Sequence, residues 1–192
     1  QAFISLYEVT FDEKWLQNAK QLTDYAFDNF YDERAQFFSF TSHKDDALIA
    51  NHFEVEDNVI PASNSVMADA LFRLSIYFEN SYYEKICRQM VQNIIPTVTY
   101  PSAFSNWLNV LLHFSEQNKE LAISGNKALG HLEKINQKYL PNIIISGSLT
   151  VSSLPFLENR FSENETLFYL CQNKACQKPT ANFKEIAKEI GL

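Results

Sequence analysis

The sequence predicts a mainly α-helical chain in which helical hairpins come first and a small α/β subdomain with a short parallel sheet comes last. Three observations carry this. Glycine is scarce, with 4 in 192 residues against an average near ~7%, which suits long helices and argues against a turn-rich β-sandwich. Through the first part, apolar residues recur at helical spacing. Beyond Asn118, short apolar runs rich in β-branched residues alternate with helical stripes, the pattern of strand–helix–strand units with right-handed crossovers. The division falls near Glu116 to Lys119, giving residues 1–117 as helical hairpins and 118–192 as the α/β subdomain.

The first strong helix is expected over Glu13–Phe30. Asp12 precedes it as a cap, and Trp15, Leu16, Ala19, Leu22, Ala26, Phe27 and Phe30 mark one face. A long polar connection, Tyr31 to Ile60, follows and holds a short strand within Gln36–Thr41. A connection of this length is usually functional or a lid. The second helix spans Asn64–Phe78, opened by Pro61 and capped by Ser63 or Asn64. The third spans Tyr82–Ile95, with Ser81 and Glu84 at capping-box spacing. The fourth runs from Pro101, a favoured first-turn residue, to Ser115. Short returns make such helices neighbours in space. In the last part, Leu121–Gly125, Asn142–Ser146 and Thr166–Cys171 read as strands. Asn126–Tyr139 and Asn182–Ile190 read as helices, the latter stopped by Gly191, with a weaker helix over Leu154–Arg160.

Composition bounds the function. Hydrophobic residues make up 46% of the chain, enough for a packed core. The net charge of −7 repels a phosphate backbone and no Lys/Arg run offsets it, so nucleic-acid binding is excluded. No apolar stretch approaches the ~18 residues that span a bilayer. Three cysteines are too few, and odd in number, for a secreted disulfide scaffold, which points to a reducing, cytoplasmic compartment. The chain opens in mid-pattern, Ile4, Leu6, Tyr7 and Val9 having no capping residue before them, and is expected to be the C-terminal portion of a larger protein.

Three groups of residues stand out. In Asp57-Asn58-Val59-Ile60-Pro61-Ala62-Ser63-Asn64-Ser65 a carboxylate and a proline-fixed turn open a helix. Asp57 and Glu54 are candidates for acid or base work, with Ser63 and Asn64 orienting a hydroxylated substrate. The same residues equally describe a capped helix with a rigid leading turn. Cys171 and Cys176, five apart, admit a disulfide, a redox pair, half a metal site, or two structural thiols; His43, His52, His113 and His131 are scattered and complete no zinc pattern. Phe37, Phe38, Phe40, Tyr100, Phe104 and Trp107 lie on the long connection or near the fourth helix. Tyr100 and Trp107 are the candidate sugar-stacking rings, although core packing accounts for most aromatics. Dinucleotide, P-loop, zinc-protease and serine-hydrolase motifs are missing, and no cofactor is implied.

Leu6-Tyr7-Glu8-Val9-Thr10-Phe11-Asp12, the Asp57–Ser65 segment, Leu154-Pro155, and Tyr169-Leu170-Cys171-Gln172-Asn173 with Cys176-Gln177-Lys178-Pro179 occur in that order. Together they resemble the C-terminal part of the thioredoxin-domain-containing proteins related to spermatogenesis-associated protein 20, the bacterial YyaL-type proteins among them. The resemblance spans nearly the whole chain. It implies an α/α-toroid related to N-acylglucosamine 2-epimerases and six-hairpin glycosidases, preceded by a thioredoxin-like domain. In such toroids, loops leading into inner helices line a central cavity, which suits Tyr31–Ile60. Asp57, Pro61, Ser63 and Asn64 match the family pattern, which more often reads Pro-Ser-Gly-Asn where this chain has Pro-Ala-Ser-Asn.

The resemblance also implies missing partners: the thioredoxin-like domain and the first half of the toroid. The remaining helices are then expected to expose apolar faces, to self-associate, and to show no turnover alone. Three functions follow for the intact protein. It binds a ligand or protein client for the attached thioredoxin-like domain, with Cys171 and Cys176 taking part in exchange. Or it acts on a carbohydrate as an epimerase or hydrolase. Or its cavity is purely structural. Toroids host many chemistries, so the fold alone does not choose among these.

Overall fold

The computed structural model describes residues 1–46, 51–115 and 118–192. Residues 47–50 of the long connection, and Glu116 and Gln117 of the expected boundary, lie outside the described residues.

Helix α1, Ala2–Thr10, buries Ile4 and Tyr7 on one side. It stops because Phe11 turns left-handed, at φ 54°, and its amide returns to the Tyr7 carbonyl. Helix α2, Lys14–Phe30, buries Leu16 and Ala19 of the expected face together with Thr23 and Asn29, while Leu22, expected on that face, is exposed. Asp12 accepts from the Lys14 amide at 3.1 Å, as a capping carboxylate should. Strands β1, Tyr31–Asp32, and β2, Phe37–Phe38, then pair antiparallel, so the strand expected over Gln36–Thr41 shrinks to two residues. The Asp32 carboxylate builds the turn between them by accepting from Arg34 and Ala35 amides.

Helix α3, Ser63–Tyr77, is the hub of the helical part. It is buried on most sides, Asn64, Ser65, Ala68, Leu71, Leu74, Ser75 and Tyr77 among its covered residues, and it packs against α2 and the helices that follow. Helix α4, Ser81–Ile94, returns after three residues. Its cap differs from the expected capping box. Asn80 accepts from the Tyr82 and Tyr83 amides, while Ser81 is already the first helical residue and Glu84 turns to Arg88 and Lys174. An asparagine one residue earlier offers the shorter reach to the free amides. Helix α5, Ser105–His113, is entered through a 3-10 turn at Pro101–Phe104.

The last part forms a four-stranded sheet. Strand β3, Lys119–Ser124, leads through helix α6, Ala128–Ile135, to strand β4, Ile143–Ser148, which lies parallel to it. Strand β5, Leu167–Gln172, pairs antiparallel with β3, and the short β6, Ala175–Cys176, folds back on β5, giving the order β4-β3-β5-β6. The sheet is therefore mixed, where the sequence predicted a parallel one. The reason lies between β4 and β5. Only a 3-10 turn, Pro155–Leu157, forms where a weak helix was expected, and without a crossover helix the chain returns in the opposite sense. Helix α7, Phe183–Ile190, closes the chain, capped by Asn182, which accepts from the Lys184 amide.

Two buried tyrosines tie helices to sheet. The Tyr7 hydroxyl lies 2.7 Å from Ser146 Oγ and 3.1 Å from the Gly147 carbonyl, and accepts from the Gly147 amide at 3.1 Å. The Tyr77 hydroxyl donates to the Ile145 carbonyl at 3.2 Å and to Glu8 at 2.6 Å. Burial, more than any neighbour, pushes both phenols above the usual tyrosine pKa, so they stay protonated. Gly147 is required here, because a Cβ would come within 2.3 Å of the Phe11 ring and 2.6 Å of the Ile123 carbonyl.

Candidate functional site

The segment Asp57–Ser65 folds against the starts of two helices. Asp57 is buried, and Oδ1 accepts from the Ala62 amide at 3.0 Å and from the Ser65 hydroxyl at 2.7 Å. Its Oδ2 accepts from the Asn106 amide at 2.8 Å, in the first turn of α5. One carboxylate thus answers free amides of both α3 and α5, where helix dipoles favour a negative charge. Glu54 accepts from the Ser63 amide at 3.0 Å. Asn64 is fully buried, bonding the Phe38 amide and carbonyl and the Glu54 carbonyl. The cap on α3 therefore comes from Asp57 and Glu54, not from Ser63 or Asn64. Ser63 is exposed.

The two candidate rings part company. Trp107 is fully buried, donates Nε1 to the Val55 carbonyl at 2.7 Å, and meets Phe37 edge-on. It holds the connection down and offers no face to a ligand. Tyr100 is 53% exposed.

Cys171 and Cys176 form a disulfide across β5 and β6. Of the alternatives left open by the spacing, pairing is the one realised. Asn173 and Lys174 between them both take positive φ, 52° and 64°, the backbone of a two-residue hairpin turn. That turn sets the two cysteines directly opposite each other, with Cα atoms 3.9 Å apart. Cys171 is buried and Cys176 is exposed. The third cysteine, Cys87, is buried, and burial above all pushes its thiol well above the usual pKa, which removes it from thiolate chemistry.

The disulfide lies at a cleft of about 420 Å³ between α3, α4 and the hairpin. Phe72, Phe114 and Phe156 supply apolar walls, and Glu84, Glu120 and Arg160 bring charge. Arg160 points its Nη2 at Cys176 Sγ, 3.4 Å away, and its Nη1 at Cys171 Sγ, 3.6 Å away. Its guanidinium rests on the faces of Phe156 and Tyr169, at 4.6 and 5.1 Å from the ring centres. Among the described residues it forms no salt bridge. Glu120 stands opposite Cys171 in the β3–β5 pairing, and its buried Oε2 has no hydrogen-bond partner among the described residues. Burial, outweighing Lys174 and Arg160, raises its pKa above the usual glutamate value. Lys174 at the hairpin tip reaches back to Glu84 on α4 at 2.8 Å, clamping the rim of the cleft.

A second cleft, about 600 Å³, opens beside α3 and α5 and is lined by Asn106, Asn109, Asn142, Asp69, Arg73 and His113. Asp69 accepts from Arg73 Nε at 3.1 Å and from Gln1 at 3.0 Å, and faces His113 Nε2 at 3.2 Å. Burial works against its charge, but His113, Arg73 and Gln1 outweigh that and hold its pKa below the usual carboxylate value.

Sequence reasoning missed Arg160, Glu120 and the Asp69–Arg73–His113 group. None sits in a local motif. The sequence traces were Asp69 and Arg73, four residues apart on the second helix, and Glu120, a charged residue directly ahead of an apolar strand run. Among the described residues, no group of three or more His, Cys, Asp or Glu is arranged to hold a metal ion, and no helix is long and apolar enough to cross a membrane.

No family model matches the chain. It is 24% identical to human spermatogenesis-associated protein 20 over 203 residues, an alignment covering 98% of this chain and 26% of that protein. The mouse and rat proteins of the same name are each 25% identical over 203 residues, with 98% of this chain covered and 25% and 26% of theirs. The chain thus spans about a quarter of the length of these relatives, and its similarity to spermatogenesis-associated protein 20 runs from end to end.

Proposed function

We propose that this chain is the binding part of a larger protein: helical hairpins of an α/α-toroid that present a ligand or protein client to an attached thioredoxin-like domain. The observation that carries this reading is the 420 Å³ cleft, which sets aromatic walls beside a paired, partly exposed disulfide. Such a cleft has the size and mixed character of a ligand site. The similarity to spermatogenesis-associated protein 20 supports the larger assembly, because most of that protein has no counterpart here.

A carbohydrate-active role is the second reading, and the amide-lined cleft beside Asp69 and His113 favours it over the Asp57 segment. Asp57 already spends both oxygens on backbone and hydroxyl donors. Sugars are recognised by amide and carboxylate groups that match their hydroxyls.

A thermal-shift panel tests both readings on the chain itself, using short aromatic-containing peptides in one arm and monosaccharides and sugar phosphates in the other. A ligand at a hundred times its Kd stabilises by about 2.7 kcal/mol. For a chain of this size that is a rise of roughly 5–10 °C. A peptide shift abolished by Phe114→Ala supports the client reading. A sugar shift abolished by Asn109→Ala moves the assignment to the second cleft. No shift in either arm overturns binding by this chain alone. Light scattering on the same samples tests self-association through Leu22, Tyr25 and Leu112, which are 60%, 57% and 65% exposed.

A further inference from the structure

We infer that the Cys171–Cys176 disulfide is an exchangeable redox site, reduced by an external dithiol that attacks Cys176 while Cys171 leaves beside Arg160. This deepens the client reading by naming what the cleft does to a thiol-bearing partner. It depends on that reading only for where the partner sits.

Access sets the order of events. Cys176 is exposed and Cys171 is buried, so an incoming thiolate meets Cys176 Sγ first. Arg160 makes the pair exchangeable. A guanidinium desolvated on two aromatic faces, with no carboxylate paired to it among the described residues, is aimed at both sulfurs. Disulfide sulfur is a weak acceptor and does little for that charge. A thiolate in the same place makes a charge-assisted hydrogen bond. Arg160 therefore favours the reduced pair over the oxidised one, and it lowers the basicity of the departing sulfur, which speeds departure. A disulfide serving only as a staple gains nothing from such a neighbour.

One thiolate of the dithiol bonds to Cys176 Sγ as the Cys171–Cys176 bond breaks, and its electron pair leaves on Cys171. The Cys171 thiolate stays beside Arg160, whose Nη1 lies 3.6 Å from Cys171 Sγ, in a charge-assisted hydrogen bond. The second thiolate of the dithiol then attacks its own sulfur in the mixed disulfide. Cys176 is released and takes a proton from solvent. The dithiol ends as a disulfide, and the chain holds a Cys171 thiolate at Arg160 and a Cys176 thiol.

Dithiothreitol and glutathione mixtures serve as probes, with acid quenching, unfolding, and labelling by a maleimide-polyethylene glycol. The oxidised chain carries one thiol, Cys87, and the reduced chain three, so the gel shift counts turnover. We expect the folded wild type to reach a measurable equilibrium with glutathione. Arg160→Met is expected to slow reduction about ten-fold and to move the equilibrium about ten-fold toward the disulfide, the size of one charge-assisted bond. Arg160→Lys should recover most of the rate. A folded wild type that stays oxidised throughout the glutathione series overturns the inference without any variant. So does an Arg160→Met chain that melts as the wild type does and exchanges at its rate. Dithiothreitol requires no client recognition, so a positive result here stands even where the peptide panel is blank, and the two readings fail separately.

Discussion

Replacing Asp57 by asparagine should loosen the starts of α3 and α5 together. The carboxylate takes two donors on Oδ1, the Ala62 amide and the Ser65 hydroxyl, and one on Oδ2, the Asn106 amide. Asparagine has a single acceptor oxygen. If that oxygen keeps the Oδ1 place, the new NH₂ faces the Asn106 amide, donor against donor. If it flips, two donors on the α3 side are lost. Either way at least one charge-assisted bond goes and a largely buried amide is left unanswered, a cost of about 2–4 kcal/mol. With a urea slope of about 2 kcal/mol per molar, the unfolding midpoint should fall by roughly 1–2 M. Asp57→Ala removes every acceptor and should fall at least as far. Equilibrium urea unfolding followed by circular dichroism measures both. A midpoint for Asp57→Asn equal to that of the wild type would refute the view that this carboxylate is a structural joint.

Other perturbations probe the remaining framework. Gly147→Ala drives a methyl group into the Phe11 ring and the Ile123 carbonyl, and should cost about 1–3 kcal/mol in the same unfolding assay. Replacing both Cys171 and Cys176 by serine opens a short loop and should cost about 2 kcal/mol by chain entropy, read as a thermal midpoint below that of the oxidised wild type. Asp69 contributes a pH dependence of known sign. Its folded pKa is depressed, so its stabilising contribution is complete above the unfolded aspartate value and is lost as pH falls through the lower folded value. Urea midpoints measured from pH 6 to pH 2 should decline less steeply in Asp69→Asn than in the wild type, and parallel curves would sink that assignment.

The elements that spacing could show were the amphipathic ones. Leu16 and Ala19 lie on the buried side of α2, and Tyr83, Ile86, Cys87, Met90, Val91 and Ile94 on that of α4, because a helix half in water must segregate its residues. The strands at Leu121, Ile143 and Leu167 were visible as apolar runs. Their relative direction was not, because it depends on whether Leu154–Arg160 completes a helix, and local propensity leaves that open. The same limit applies to the sites. Asp57 was noticed for its place before α3, yet what engages it includes Asn106, 49 residues away. Arg160 acquires meaning only when the hairpin brings Cys171 and Cys176 against it, and the sequence holds no trace of that approach. Trp107 illustrates the converse. Its ring was a candidate for display, and the Val55 carbonyl instead draws its one polar atom inward.

The hydroxyls of Tyr7 and Tyr77 have a bearing on assembly. Strand β4 is the outermost on its side of the sheet, and outermost strands ordinarily present unpaired backbone groups that invite another chain. Here the Gly147 amide and carbonyl and the Ile145 carbonyl are already answered by phenols from two helices. An extended segment can add on that border only by expelling two buried rings. The opposite border is the exposed Ala175–Cys176 strand. The border left without such a cover is thus the one that carries the disulfide.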